Sequence, residues 1–256
     1  MAKLTRNSGS GLIARDYQSK RWPEGTVRLC DGWYESTPGR RIAVGGCGFY
    51  ADKDNSQIPY LRNACLNFLQ VSQYPVVLDF FAEMAYRPIK KSKTDFSVVV
   101  AFPGEDAFGF AIAYWGKCGV VYSERTDIYD DDKKEMKHFH FRNEIRKGDK
   151  VLIALGTVVD LPSLRLFADE IVRAGGKVAG VVCVVNDTFP LENEFIVSEQ
   201  DAVPIFSVLS PEIPRYRQDA PEVADAVVSG SIIMDPHDSD SWSELIGSMK
   251  KRRKKD

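Results

Sequence analysis

"KVLIALGTVVDLPSLRLFADEIVRAGGKVAGVVCVVND" occupies residues 150–187, and its reading decides the fold. An apolar run leads into a turn at 156–163. Beyond the turn Leu164, Phe167 and Ile171, with Ala168 and Val172 alongside, follow the spacing of an amphipathic helix. Gly175 and Gly176 stop that helix, because glycine accepts the left-handed conformation that follows a last turn. "KVAGVVCVVND" is a second continuous apolar run, the pattern of a strand buried on both faces. Strand, turn, helix and strand in this order make one unit of a parallel sheet.

The same texture extends outward. "FSVVVAF" (96–102) predicts another buried strand, followed by Pro103, Gly104, Glu105 and Asp106 and a helix over 107–116. Residues 118–125 predict a strand, the charged stretch "TDIYDDDKKEMK" (126–137) a mobile loop, and the alternating "HFHFRN" (138–143) a further strand. After a loop at 188–197, "AVPIFSVLS" (202–210) closes the core, and a helix is expected around 241–249. The fold class expected is α/β with a parallel-sheet core. Ligands of such sheets bind outside the carboxyl ends of the strands, so the candidate loops are 103–106, 124–137, 156–163 and 186–197.

Upstream, residues 26–50 predict a β-hairpin whose arms flank Thr37, Pro38 and Gly39. Apolar spacing predicts a helix over 57–70, starting near Pro59, and a second over 76–86. Pro88 is expected to break the chain, with Lys90, Lys91 and Lys93 in a surface loop. The organisation expected is a flexible lead at 1–25, a hairpin and helices at 26–94, the α/β core at 95–235, and a C-terminal segment at 236–256 ending in a basic tail.

Composition bounds the function. Of 256 residues 44% are hydrophobic and 27% charged, as in ordinary globular proteins, and no apolar run has the length of a membrane span. The first residues lack the apolar core of a secretory signal. Five scattered cysteines, without a C-x-x-C pair, read as reduced thiols of a cytoplasmic protein, although Cys30 and Cys47 flank the predicted hairpin. The net charge of −2 is uneven: the last seven residues carry +5, leaving −7 on the rest. That basic tail is a solvated end or a contact for nucleic acid or an acidic partner. No dinucleotide, P-loop or nucleophile-elbow motif is present. His138 and His140 share one side of a predicted strand near Asp130, Asp131 and Asp132; strand surface is the plainer reading, and no metal site is assigned.

"YESTPGRRIAVGG", "VVVAFPGEDAFGFAIAYWG", "ERTDIYDDDKKEMK", "RKGDKVLIALGTVVDLPSL", "GGKVAGVVCVVND" and "VPIFSVLS", in this order, resemble the type I phosphoribosyltransferases, the orotate phosphoribosyltransferases in particular. The likeness covers roughly residues 26–212. It implies an N-terminal hood, a pyrophosphate loop at 103–106, a mobile loop over the site and a ribose-phosphate turn after the signature strand. A homodimer is common in that family, which leaves a homodimer open here; no cofactor is assigned, with Mg²⁺ left open. In that family two adjacent carboxylates hold the ribose hydroxyls of phosphoribosyl pyrophosphate. A turn of small residues then directs N–H groups at the 5′-phosphate.

Here Leu155 and Gly156 stand where the acidic pair belongs, and Val159, Asp160, Leu161 and Pro162 replace most of the phosphate turn, Ser163 alone fitting it. Asp160 repels a phosphate and Pro162 supplies no N–H. The turn also reads as self-sufficient, with Pro162 in the first helical turn and Asp160 or Ser163 as a cap. The expectation is therefore a diverged phosphoribosyltransferase-like protein. It would bind or act on a base, nucleoside or nucleotide without the standard phosphoribosyl pyrophosphate reaction. The alternative is a non-catalytic binding or assembly protein of the same fold.

No catalytic residue is assigned. Glu105 and Asp106 either hold Mg²⁺ or a sugar hydroxyl, or serve the dipole of the helix they begin. Lys133 and Lys134 can reach a polyanion as a loop closes. Asp160 and Ser163 line the turn, and Asn186 and Asp187, at a strand end, can hydrogen-bond a base or sugar.

Overall fold

The computed structural model describes residues 27, 30–36, 42–45, 48–51, 57–129, 135–159, 161–197 and 202–250. They fall into two units, one from the described parts of 1–73 and 212–256, the other Tyr74–Pro211.

In the first unit pairing is long-range. β1 (Trp33–Glu35) runs antiparallel to β5 (Ala64–Leu66), and β2 (Ala43–Val44) runs parallel to β14 (Ile232–Ile233). β3 (Phe49–Ala51) pairs with β4 (Gln57–Pro59). The expected hairpin between the arms of 26–50 is therefore absent among the described residues: each arm finds a distant partner instead. Tyr34 anchors one of them, buried, with its hydroxyl donating to the Ile42 carbonyl at 2.8 Å. The helix expected over 57–70 is replaced by β4, β5 and the short α1 (Phe68–Ser72), because Ala64, Cys65 and Leu66 are all buried on a paired strand. Strand pairing overrides the weak helical periodicity there. α5 (Pro221–Ser229) and α6 (Ser239–Lys250) complete the unit.

The second unit begins with α2 (Pro75–Ser92). Pro75 is at the first helical position, where a missing N–H costs nothing. Pro88 lies inside the helix and does not end it. The buried stripe of Val77, Phe80, Phe81, Ala82, Ala85 and Ile89 carries the chain across the one lost hydrogen bond, and Lys93 closes it in a left-handed cap. A six-stranded sheet follows, built from β6 (Val98–Ala101), β7 (Gly119–Val121), β10 (Lys150–Val158), β11 (Lys177–Asn186), β12 (Glu194–Ile196) and β13 (Ala202–Leu209). Its order is β12-β13-β11-β10-β6-β7, all neighbours parallel except the β12–β13 edge pair. The α/β class and the parallel sheet are as expected. The edge strand β12 lies within the stretch read as loop.

Helices cover both faces. Along β6 side chains alternate: Val98 and Val100 join a cluster with Leu164, Phe167, Ala168 and Ile171 of α4 (Leu161–Arg173). Ala101 meets Gly109 of α3 (Asp106–Gly116) on the opposite face. The chain leaves β6 through α3 on one face and leaves β10 through α4 on the other, so the sheet winds both ways from the β6–β10 pair. The stretch expected as a mobile loop, 126–137, is mostly strand in its described part: β8 (Ser123–Tyr129) and β9 (Glu135–Phe141) form an antiparallel ribbon. Its root is held by Phe139, whose ring lies 5.0 Å from that of Phe167, itself 5.0 Å from Phe102. Register pairs Thr126 with His138 and Glu124 with His140, so alternation that read as a single strand belongs to one arm of a hairpin. Cys30, Cys65, Cys118 and Cys183 are free thiols, and Cys47 lies outside the described residues.

A β-carbon on Gly109 would stand 2.5 Å from that of Ala101, on a central strand that cannot yield. Gly109→Ala is expected to lower stability by about 1–3 kcal/mol through overpacking, despite alanine's better helix propensity. Urea denaturation of the two proteins measures this, and an unchanged or higher midpoint contradicts the close approach.

Candidate active-site crevice

Where a doubly wound sheet reverses its winding, the loops leaving two adjacent strands diverge and open a crevice at their carboxyl ends. Here that point lies between β6 and β10. Register pairs Ala101 with Ala154, and the Phe102 N–H donates to the Ala154 carbonyl at 2.9 Å. β10 then runs on to Val158 while β6 has ended. Ala154 faces β6, so Gly156, two residues on, faces the same way beyond the end of its neighbour.

Glu105 fills that gap. The turn after β6 is tight: the Glu105 N–H donates to the Phe102 carbonyl at 2.9 Å, and Gly104 adopts φ +83°, a conformation that favours glycine. Glu105 takes the N-cap position of α3, yet its side chain makes no capping bond. Its carboxylate accepts from the Gly156 N–H instead. Burial pushes the Glu105 carboxyl up to about 7; the Gly156 N–H opposes the shift and the Asp106 charge adds to it. Asp106 is in the first turn of α3, and its Oδ1 is enclosed without a hydrogen-bond partner. The Ala101 carbonyl at the end of β6 is satisfied by the buried Ser123 hydroxyl at 2.6 Å. Beside the end of β10 there is thus one carboxyl poised near neutrality and, in the next residue, one enclosed acceptor unmatched among the described residues. Both suit a ligand with hydroxyl or N–H donors.

The other predicted residues sit as follows. Lys133, Lys134 and Asp160 lie outside the described residues. Ser163 is half-buried in the first turn of α4, where Pro162 also stands. Asn186 and Asp187 are buried at the end of β11, and the Asp187 N–H donates to the Val158 carbonyl at 2.8 Å. The Asn186 amide is engaged within its own loop: Nδ2 donates to the Glu192 carbonyl at 2.7 Å and Oδ1 accepts from the Thr188 hydroxyl at 2.9 Å. Sequence reasoning named Glu105 and Asp106 but not the Gly156 N–H that fixes Glu105, because a backbone donor has no signature in composition. Among the described residues no group of three or more His, Cys, Asp or Glu is placed to hold a metal ion. Two carboxylates alone match Mg²⁺ that arrives with a ligand's phosphates, provided Glu105 has lost its proton. No helix among the described residues is long and apolar enough to cross a membrane.

The solved structures similar to this chain include the adenine phosphoribosyltransferase of Thermoanaerobacter pseudethanolicus, at 14% identity and TM-score 0.46, covering 64% of this chain and 94% of that one. The orotate phosphoribosyltransferase of Mycobacterium tuberculosis is similar at 14% identity and TM-score 0.43, over 72% of this chain and 94% of that one. The UMP synthase of Leishmania donovani is similar at 11% identity and TM-score 0.47, over 88% of this chain and 41% of that one. No protein-family model matches the chain, and no curated protein matches its sequence. Overlaps this loose assign no activity, and the α/β class stands on the strand order and connections described above.

Glu105 makes stability depend on pH. Its folded value, about 7, lies above the ordinary 4.5, so the fold prefers the protonated form. That contribution is complete below about 4.5, is lost as pH rises through about 7, and is constant above. Glu105→Gln is expected to remove this loss. The difference in urea midpoint between variant and parent should grow from pH 4.5 to pH 7.5 in the variant's favour. A difference that stays flat places Glu105 in water.

Proposed function

We propose that this protein binds a nucleoside or nucleotide at the carboxyl ends of β6 and β10, with Glu105 and Asp106 receiving the sugar hydroxyls, and that it does not carry out standard phosphoribosyl transfer from phosphoribosyl pyrophosphate. The observation that carries this reading is the Glu105 carboxyl lodged on the Gly156 N–H. The resemblance of the chain puts an acidic pair at Leu155 and Gly156, and neither residue supplies a carboxylate. Glu105 brings one to the same strand end from the neighbouring loop, and Asp106 adds an acceptor without a donor. A cis-diol offers two donors to two such acceptors. Charge-assisted bonds of this kind are the stronger class.

The second half of the proposal rests on the turn. The 5′-phosphate of the standard substrate needs converging N–H groups, and Pro162 in the first turn of α4 removes one of them. A carboxyl poised near neutrality is suited to hold or give up a proton, which leaves room for a changed reaction on a related ligand. It serves equally as a hydroxyl acceptor in a protein that only binds.

Calorimetric titration separates these elements. Nucleoside 5′-monophosphates are expected to bind, and their 2′,3′-dideoxy forms to bind roughly tenfold more weakly or worse, since each lost bond to a charged group is worth about 1.5–3 kcal/mol. Asp106→Ala is expected to weaken binding similarly while leaving the denaturation midpoint unchanged or higher, because it deletes an enclosed, unmatched acceptor. Incubation with phosphoribosyl pyrophosphate, Mg²⁺ and nucleobases is expected to yield no nucleotide. Equal affinity for ribo and dideoxy forms overturns the hydroxyl contacts, and nucleotide formation overturns the exclusion of the standard reaction.

A further inference from the structure

α3 is apolar on more sides than the sheet can bury. Phe108, Gly109, Ile112 and Ala113 are covered, but Phe110 is 57% exposed and Tyr114, one turn on, is 69% exposed. A surface helix ordinarily turns polar residues outward, so an apolar outer face marks a surface that something else covers. A cavity of about 720 Å³ lies there, lined by Phe110, Tyr114 and Trp115, with Val120 of β7, Lys117 after the helix and Asp79 of α2. Its volume is in the range of small-molecule sites. α3 has eleven residues, a length of about 16 Å, so this cavity at its carboxyl end is separate from the crevice at its first turn.

The charges on its lining say what it takes. Asp79 and Lys117 are the two charged residues there. The Trp115 Nε1–H donates to the Asp79 Oδ1 at 3.0 Å, which holds the carboxylate beside the indole. Lys117 is the left-handed cap of α3, its N–H bonded to the Ala113 and Tyr114 carbonyls. Each charged residue is thus tied to its own place. Among the described residues neither side chain has an ion-pair partner, and the two do not pair with each other. A neutral apolar molecule in this cavity would leave both charges unmatched, and a simple cation or anion would meet one charge of its own sign. A molecule that carries both signs on an apolar body matches the whole lining.

We propose that this cavity binds a small aromatic zwitterion, the chemistry of an aromatic α-amino acid or a short aromatic peptide, with its ammonium at Asp79, its carboxylate at Lys117 and its ring among Phe110, Tyr114 and Val120. The ammonium gains a charge-assisted bond next to an indole, a favourable neighbour for a cation. The ring gains aromatic contact and covers the apolar face that α3 leaves open. The proposal goes beyond the nucleoside reading and does not rest on it, since the two sites share no residue.

The experiment is calorimetric titration of the full chain with L-phenylalanine, L-phenylalaninamide, N-acetyl-L-phenylalanine, L-alanine and phenylalanyl-phenylalanine. L-phenylalanine or the dipeptide is expected to bind saturably, the tighter of the two naming the source. The amide, which lacks the anion, and the N-acetyl form, which lacks the cation, are each expected to bind roughly tenfold more weakly than L-phenylalanine or worse, and L-alanine more weakly still. Asp79→Asn is expected to abolish the preference for L-phenylalanine over its N-acetyl form while keeping the preference over the amide. Lys117→Gln is expected to do the reverse. Misfolding cannot produce this crossed pattern. Phe110→Ala is expected to weaken every probe with an unchanged circular dichroism spectrum, as suits an exposed position. No saturable binding by L-phenylalanine or the dipeptide at millimolar concentration overturns the proposal. Equal binding of the free and capped forms, or a missing crossed pattern, also overturns it. So does a Phe110→Ala variant that alters only the sedimentation coefficient, which would make this face a contact between copies of the chain.

Discussion

Parallel pairing of Val98–Ala101 with Val151–Ala154 is the constraint on which the second unit depends. From this pair the chain winds outward in both directions, with α3 against one face and α4 against the other. Two consequences follow directly. The sheet buries both faces, which is why its strands are continuous apolar runs. The strands also end unevenly, because β10 outlasts β6, and the buried Gly156 N–H, past the end of β6, must find an acceptor outside the ladder. Glu105 is that acceptor, and its commitment to a neighbouring strand leaves α3 without a cap from it.

Much of this was legible before any coordinates. The runs 96–102, 150–158 and 177–187 read as buried strands because nothing in them alternates, and the stripe from Leu164 to Ile171 with its glycine stop read as the helix between two of them. The elements misread share one physical cause. β1, β2 and β5 owe their form to partners tens or hundreds of residues away, and periodicity over a short window is blind to such pairing. Pro88 was taken as a breaker because local rules count the hydrogen bond it deletes and not the six buried side chains that hold α2 on either side of it. The stretch 126–137 is mostly charged and polar and so resembled a loop, while the ribbon formed by its described part is attached at its base through an aromatic residue, Phe139.

The candidate site was legible in part for a similar reason. Glu105 and Asp106 stood out as acidic residues at a loop where a pyrophosphate contact was expected, and their loop does reach the end of the signature strand. What composition could not reveal is direction: that one carboxylate turns away from its own helix toward Gly156, and that an oxygen of the other is enclosed without a donor. Asn186 had been read as a residue that faces ligand. Its amide bonds within the loop it begins, to Thr188 and to the Glu192 carbonyl.

The contact between Gly109 and Ala101 ties mechanical position to chemistry. With no methyl group between them, helix and strand lock at one depth, and a four-residue connection, Phe102 to Glu105, leaves little slack to absorb a shift. A nudge of the helix by the width of one carbon would be delivered almost undiminished to the acid at its tip. The absence of a side chain at Gly109 thereby acts as the calibration screw for the position of Glu105.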